Sequence, residues 1–200
     1  MTRKRHASGV RKRRKPQQTR GVEVADLKKE LARARARIAS LEAGLDEDPL
    51  TGLLNRRGFG RELWRALAFV RRYGATGALL YLDLDHFKSV NDRYGHAVGD
   101  VMLAKVAKMI AQNVRASDMV GRIGGDEFVV LMWNVRDIDA EARARSLEQL
   151  VVGTSFAHKG KSFKLGLSTG VALLRQDDTV ESAIARADNA MYARKRARAR

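Results

Sequence analysis

The stretch MVGRIGGDEFVVLMWN, residues 119–134, decides the architecture. Two short apolar runs flank a Gly-Gly pair, the pattern of a β-hairpin whose turn needs residues without side-chain constraint. A hairpin forces antiparallel pairing, and the segments around it alternate between helix and strand periodicity. Upstream, Arg57 to Tyr73 places Phe59, Leu63, Leu67 and Val70 on one helical face. ALLYLDLDHF (78–87) is a buried strand ending in alternating acids, and Val98 to Val114 carries Val98, Met102, Val106, Met109 and Ile110 at helical spacing. Downstream come a helix over Ala140 to Val152, a strand over Ser162 to Leu174 and a helix over Thr179 to Arg196. The expected fold class is α+β, a central mostly antiparallel sheet flanked by helices. No internal repeat is present.

The chain has 200 residues, 44% hydrophobic and 31% charged, which suits one globular domain with an extension. It has no cysteine, so disulfides, thiolate metal sites and cysteine nucleophiles are excluded. No apolar run reaches the roughly 18 to 20 residues of a membrane span, and no signal-peptide pattern follows the basic start, so a cytoplasmic protein is expected. The formal net charge of +16 is unevenly placed. Residues 1–20 carry nine Lys/Arg and residues 194–200 carry five, both without acids, leaving 25 basic against 23 acidic residues between them. Residues 1–20 lack apolar periodicity and are expected to be a disordered arm. They serve either as a solubilising tail or as a weak, nonspecific electrostatic tether to nucleic acid or an anionic membrane, without sequence specificity.

Residues 21–45 form the next segment. Val24, Leu27, Leu31, Ala34, Ile38, Leu41 and Leu45 recur at alternating spacings of three and four, a heptad seam. About three heptads suit a short dimerising coiled coil or a single amphipathic helix packed on its own domain. The main globular body is expected over residues 46–200.

Two acidic clusters end or cap hydrophobic strands, where carboxylates are costly unless paired, solvated or bound to a cation. Asp83 and Asp85 lie two apart and face the same way. If the Gly124-Gly125 turn lies beside that strand end, Asp83, Asp126 and Glu127 form an all-oxygen cage of the kind Mg²⁺ prefers, with nucleotide phosphates completing it. That chemistry is phosphoryl or nucleotidyl transfer. The plain alternative is that each pair only decorates a turn. Lys88 falls where a helix begins, suited to a triphosphate. Asn91 and Asp100 bracket the turn RYGHAVGD (93–100) and can read a guanine edge, unless Asp100 merely caps a helix.

Four ordered segments, DPLTGLLNR (48–56), DLDHFKSVNDRYGHAVGD (83–100), RIGGDEF (122–128) and ADNAMYARK (187–195), closely resemble the GGDEF diguanylate cyclase family over residues 46 to 195. The resemblance implies a nucleotidyl-cyclase, palm-like domain binding one GTP. It further implies that two such domains pair as a homodimer in which the 3′-hydroxyl of each GTP attacks the α-phosphate of the other, and that the product would be the second messenger cyclic di-GMP, with pyrophosphate released. By the same resemblance Asp83 and Asp126, with the carbonyl of Leu84, hold Mg²⁺ or Mn²⁺, and Glu127 serves as base or second-metal ligand. Phe87, Lys88, Asn91, Asp100, Gly124, Gly125 and Lys195 match substrate-binding positions, the two glycines letting phosphates approach the backbone. Arg115 and Asp118 of RASD (115–118) match the RxxD product-inhibition site.

Two departures stand out. Lys195 leads into Arg196-Ala197-Arg198-Ala199-Arg200 in place of the family's Gly-Arg pair, so Arg198 or Arg200 would have to supply its phosphate contact. The usual Ser-Ile-Gly is Ser168-Thr169-Gly170, expected to be a packing change only. The alternative function is a catalytically silent module that binds cyclic di-GMP or GTP and signals through the N-terminal helix. A nucleic-acid-associated role for the basic arm is compatible with either.

Overall fold

The computed structural model describes residues 28–34, 45–158 and 160–198. The chain divides into two units, residues 1–44 and residues 45–200. In the first unit α1 covers residues 28–34, all of them exposed. The basic arm, the coil positions Val24, Leu27, Ile38 and Leu41, and Arg200 lie outside the described residues.

The second unit runs α2 (Arg56–Tyr73), β1 (Gly77–Asp85), α3 (Phe87–Tyr94), α4 (His96–Gln112), β2 (Met119–Arg122), β3 (Glu127–Trp133), α5 (Asp137–Gly153), β4 (Phe156–His158), β5 (Lys161–Phe163), β6 (Gly166–Leu173) and α6 (Val180–Arg198). The main sheet has the order β2-β3-β1-β6 with every pair antiparallel, as the hairpin required. The central strand β1 is buried on both faces, so its sequence is a continuous apolar run instead of an alternating one. Leu80, Leu82, Leu84, Phe128 and Val130 face one core with Met102, Val106 and Ile110 of α4 and Ala144 and Leu147 of α5. The intervening residues Leu79, Tyr81, Val129 and Leu131 face a second core with Phe59, Leu63 and Leu67 of α2 and Ala183, Ala187 and Met191 of α6.

The strand expected over Ser162 to Leu174 is broken in two. β6 begins at Gly166, opposite Asp85, the last residue of β1. Beyond that point β1 has turned into α3 and offers no partner, so residues 161–163 pair with β4 in a separate two-stranded sheet. Phe163 anchors this hairpin edge-on against Tyr94, ring centroids 4.6 Å apart. The helix read over Val98 to Val114 starts at His96 and is preceded by the separate eight-residue α3.

Ser168-Thr169-Gly170 does more than repack. β6 is an edge strand, and the buried Glu148 of α5 covers it, accepting the Thr169 backbone N–H (3.0 Å) and hydroxyl (2.6 Å). Thr169→Val should cost about 1.5–3 kcal/mol by deleting a hydrogen bond to a charged group. Thermal unfolding measures this, and an unchanged midpoint would contradict it. Gly170 lies under α6: a Cβ there would stand 2.1 Å from the Met191 nitrogen and 2.2 Å from the Ala187 oxygen. The missing side chain therefore sets how closely α6 approaches the sheet.

Candidate active site

The hairpin turn is delivered to the end of β1 by register. Asp83 pairs directly with Glu127. The Ile123 N–H donates to the Glu127 carbonyl (3.0 Å), closing the turn over Gly124, Gly125 and Asp126, and the Leu84 N–H donates to the Asp126 carbonyl (3.2 Å). These bonds gather Asp83, Asp126 and Glu127, the three carboxylates expected to form the oxygen cage. Burial, followed by the charges of Asp83 and Glu127, holds the Asp126 carboxyl above its ordinary range.

A fourth acid joins them. Asp188 of α6 is likewise held up by burial and then by Glu127 and Asp83. It was not singled out from the sequence, although a signal exists: Asp188 and Lys195 are seven residues apart on one helix and so share a face. Lys195 reaches the same place, its ammonium paired with Asp83 and lying 3.3 Å from Asp85. Asp85 also accepts the Ser168 hydroxyl at 2.8 Å. Five carboxylates thus cluster at this end of the sheet, two of them in contact with Lys195.

Such an excess of hard oxygen donors fits a divalent cation of the Mg²⁺ type. Among the described residues no three ligands are drawn to ion-holding distance, and the Lys195 ammonium pairs with Asp83. A carboxyl whose folded value is raised binds its proton more tightly folded than unfolded. The contribution of this group to metal-free stability is therefore fully present below the unfolded carboxyl value and is lost as pH rises through the raised Asp126 value. Asp126→Asn should raise the melting midpoint of the metal-free chain at neutral pH and flatten that pH dependence. A lowered midpoint would contradict the electrostatic reading.

The turn is braced from outside. Arg122 donates from Nε and Nη2 to the Gly125 carbonyl (3.1 and 2.7 Å) and from Nη1 to both Asp48 oxygens (3.1 Å each). Arg56 Nε donates to the Ile123 carbonyl at 2.9 Å. Burial pushes the Asp48 carboxyl up, but hydrogen bonds from Thr51 and Arg122 outweigh it and leave the carboxyl below its ordinary value. The segment 48–56, legible as a motif without an assigned task, thus holds the signature turn in place.

Gly124 has a specific reason. A Cβ there would lie 1.9 Å from Glu127 Oε2, so the space is taken by the carboxylate itself. Gly125 has nothing within 4 Å of its Cβ position, which leaves that side open. The other Glu127 oxygen, Oε1, accepts the Tyr81 hydroxyl at 2.7 Å. Burial and then Glu127 push the Tyr81 phenol above its ordinary value, which keeps it a donor.

The remaining candidates are spread over neighbouring elements. Lys88 is exposed on α3, three residues before Asn91. Asn91 Oδ1 is buried without a hydrogen-bond partner and abuts Gly99, whose Cβ position lies 1.9 Å away. The exposed Asp100 follows Gly99 on α4, so the α3–α4 junction brings Asn91 toward Asp100. Phe87 is packed into the first core with its ring against Gly99, and Leu84 is buried with its N–H engaged as described. In the RASD turn Asp118 accepts the Arg115 N–H (3.0 Å) and the Trp133 N–H (3.4 Å), while Arg115 is exposed. Arg198 ends the described part of α6.

The family described as "Diguanylate cyclase, GGDEF domain" matches residues 45–200. The chain belongs to the GGDEF family. This GGDEF domain is 37% identical over 156 residues to the diguanylate cyclase DosC of Escherichia coli, covering 78% of this chain and 34% of that protein. It is 37% identical over 153 residues to the diguanylate cyclase DgcP of Pseudomonas aeruginosa, covering 75% of this chain and 22% of that protein. The chain thus spans about a third or less of those relatives. Among solved structures it is similar to the coiled coil and GGDEF domain of DgcB from Caulobacter crescentus in complex with c-di-GMP. There the TM-score is 0.79 and the identity 29%, covering 88% of this chain and 94% of that one. No described helix of this GGDEF domain is long and apolar enough to cross a membrane.

Proposed function

We infer that this chain is a diguanylate cyclase that condenses two GTP into cyclic di-GMP with release of two pyrophosphates. One observation carries the reading. The Asp83–Glu127 register and the tight turn at Asp126 put three carboxylates at one strand end, against a lysine that can be exchanged onto phosphate. Asp83 and Asp126, with the Leu84 carbonyl, would hold Mg²⁺ or Mn²⁺. An ion held there would supply Lewis acidity, lowering the pKa of the attacking hydroxyl and stabilising charge on the phosphorus.

The chain's own groups divide the rest of the work. Asn91 and Asp100 take the guanine edge, where the unsatisfied buried Asn91 oxygen marks a polar slot. Lys88 and Lys195 take phosphates, Lys195 by leaving Asp83, and Gly125 leaves room for the chain of phosphates. Glu127 is the group assigned to meet the attacking 3′-hydroxyl, as its base or as ligand of a second metal ion. With Glu127 as base, the hydroxyl proton passes to its carboxylate, the new O–P bond forms at the α-phosphate of the other GTP, and the bond to the departing pyrophosphate breaks. Each half-site supplies one nucleophile and one electrophile, so the active unit is a homodimer, with residues 21–45 as a tether that raises effective concentration. The exposed Arg115, held by the Asp118 turn, is suited to clamp product guanines or phosphates and so inhibit.

The test is to free the chain of nucleotide, add GTP and Mg²⁺, and follow products by chromatography and mass. The expected result is cyclic di-GMP at a rate that rises more steeply than linearly with protein concentration. Product binding without turnover, at any protein concentration, would instead establish the silent binding module.

A further inference from the structure

Tyr81 interrupts the apolar run of β1 two residues before Asp83, and its ring lies in the second core, only 5% exposed. A phenylalanine would fill the same volume, so the hydroxyl adds one thing: the 2.7 Å hydrogen bond to Glu127 Oε1. Glu127 is thereby held at one oxygen by Tyr81, while the missing side chain at Gly124 leaves room for the other oxygen, Oε2. Asp83 stands opposite Glu127 in the sheet, and Asp188 of α6 lies close enough for both to act on its carboxyl. Among the described residues Tyr81 is the side chain that donates a hydrogen bond to Glu127.

We propose that Tyr81 is a positioning residue that locks the Glu127 carboxylate beside Asp83, preassembling the cation site and the group that meets the attacking hydroxyl. The physical basis is preorganisation: a carboxylate already in place spends nothing on reordering when the cation and nucleotide arrive, and partners that orient a ligand are typically worth 10- to 100-fold in metal affinity or activity. The ring belongs to the core that carries α6, so the same residue ties the Glu127 position to the packing of Asp188 and Lys195. The kinetic part rests on the cyclase reading, whereas the cation part does not.

The test uses the full chain and Mn²⁺ as the probe, titrated by electron paramagnetic resonance without nucleotide. Tyr81→Phe should weaken Mn²⁺ binding roughly tenfold. In a Glu127→Gln background the same change should have little further effect, because the two act through one contact. Turnover should show kcat lowered about tenfold with KM for GTP held within about twofold. Wild-type Mn²⁺ affinity in Tyr81→Phe, or a loss that adds fully to that of Glu127→Gln, overturns the proposal. If Tyr81→Phe lowers the melting midpoint, the double-variant comparison is made below both midpoints, where additivity still decides. Coupled Mn²⁺ binding with no product from the wild type would sink the cyclase reading alone. Product formation with Mn²⁺ binding indifferent to Tyr81 would sink this proposal alone.

Discussion

Glu127→Ala is expected to lower the rate of cyclic di-GMP formation by roughly 10²–10⁴-fold, the range for a group acting on a proton in the transition state, while GTP binding persists. The reason is positional. Glu127 is tied into the sheet opposite Asp83, hydrogen-bonded by Tyr81 and seated over Gly124, so its carboxylate is an ordered feature and not a surface decoration. The groups assigned to guanine, Asn91 and Asp100, belong to α3 and α4 and are untouched by the substitution. Removing one of several crowded acids should leave folding intact or slightly favoured, so a melting midpoint at or above wild type separates a chemical loss from an unfolded protein. Parallel measurements of product formation and of binding to a non-hydrolysable GTP analogue check the prediction. A variant retaining more than about a tenth of the wild-type rate would remove Glu127 from the chemistry.

Gly170→Ala is expected to destabilise the domain by about 3 kcal/mol, the upper part of the range for overpacking a filled core. The added methyl meets backbone atoms of α6 at 2.1 and 2.2 Å, and neither a rotamer change nor a flexible tip can relieve such contacts. The helix itself must shift. For a domain of this size that loss corresponds to a fall of roughly 6–12 °C in the melting midpoint, read by calorimetry. The effect also reaches the site, because Asp188 and Lys195 ride on α6. Turnover below the midpoint should therefore fall as well, with the Lys195–Asp83 pair disturbed. A midpoint within about a degree of wild type would show that α6 is not seated as closely as the Gly170 contact requires.

Much of the candidate site was already written in one dimension. The Gly-Gly hairpin, the paired acids at the end of an apolar strand and the α+β order are local patterns, and local patterns are set by side-chain periodicity and turn chemistry. The convergence of Asp83 with Asp126 and Glu127 was conditional on the turn lying beside the end of β1, a condition met by the pairing of β1 with β3. The limits of local reading are equally specific. The break between β5 and β6 depends on where β1 ends, which is a property of its partner and invisible in Ser162 to Leu174 itself.

The pattern of residues therefore established the sheet type, the helix faces, the strand-end carboxylates and the family. Through-space relations settled the rest. Arg122 and Asp48 are 74 positions apart and meet only once the N-terminal segment docks on the hairpin. Asp188 enters the acid cluster because Gly170 lets α6 approach. Tyr81 looks like one more core residue until its hydroxyl is found on Glu127. Thr169, an apparent packing variant, has its reason in Glu148 on another helix. Periodicity specifies which face a side chain takes, but strand register, helix rotation and the closeness of two packed elements decide what that face meets.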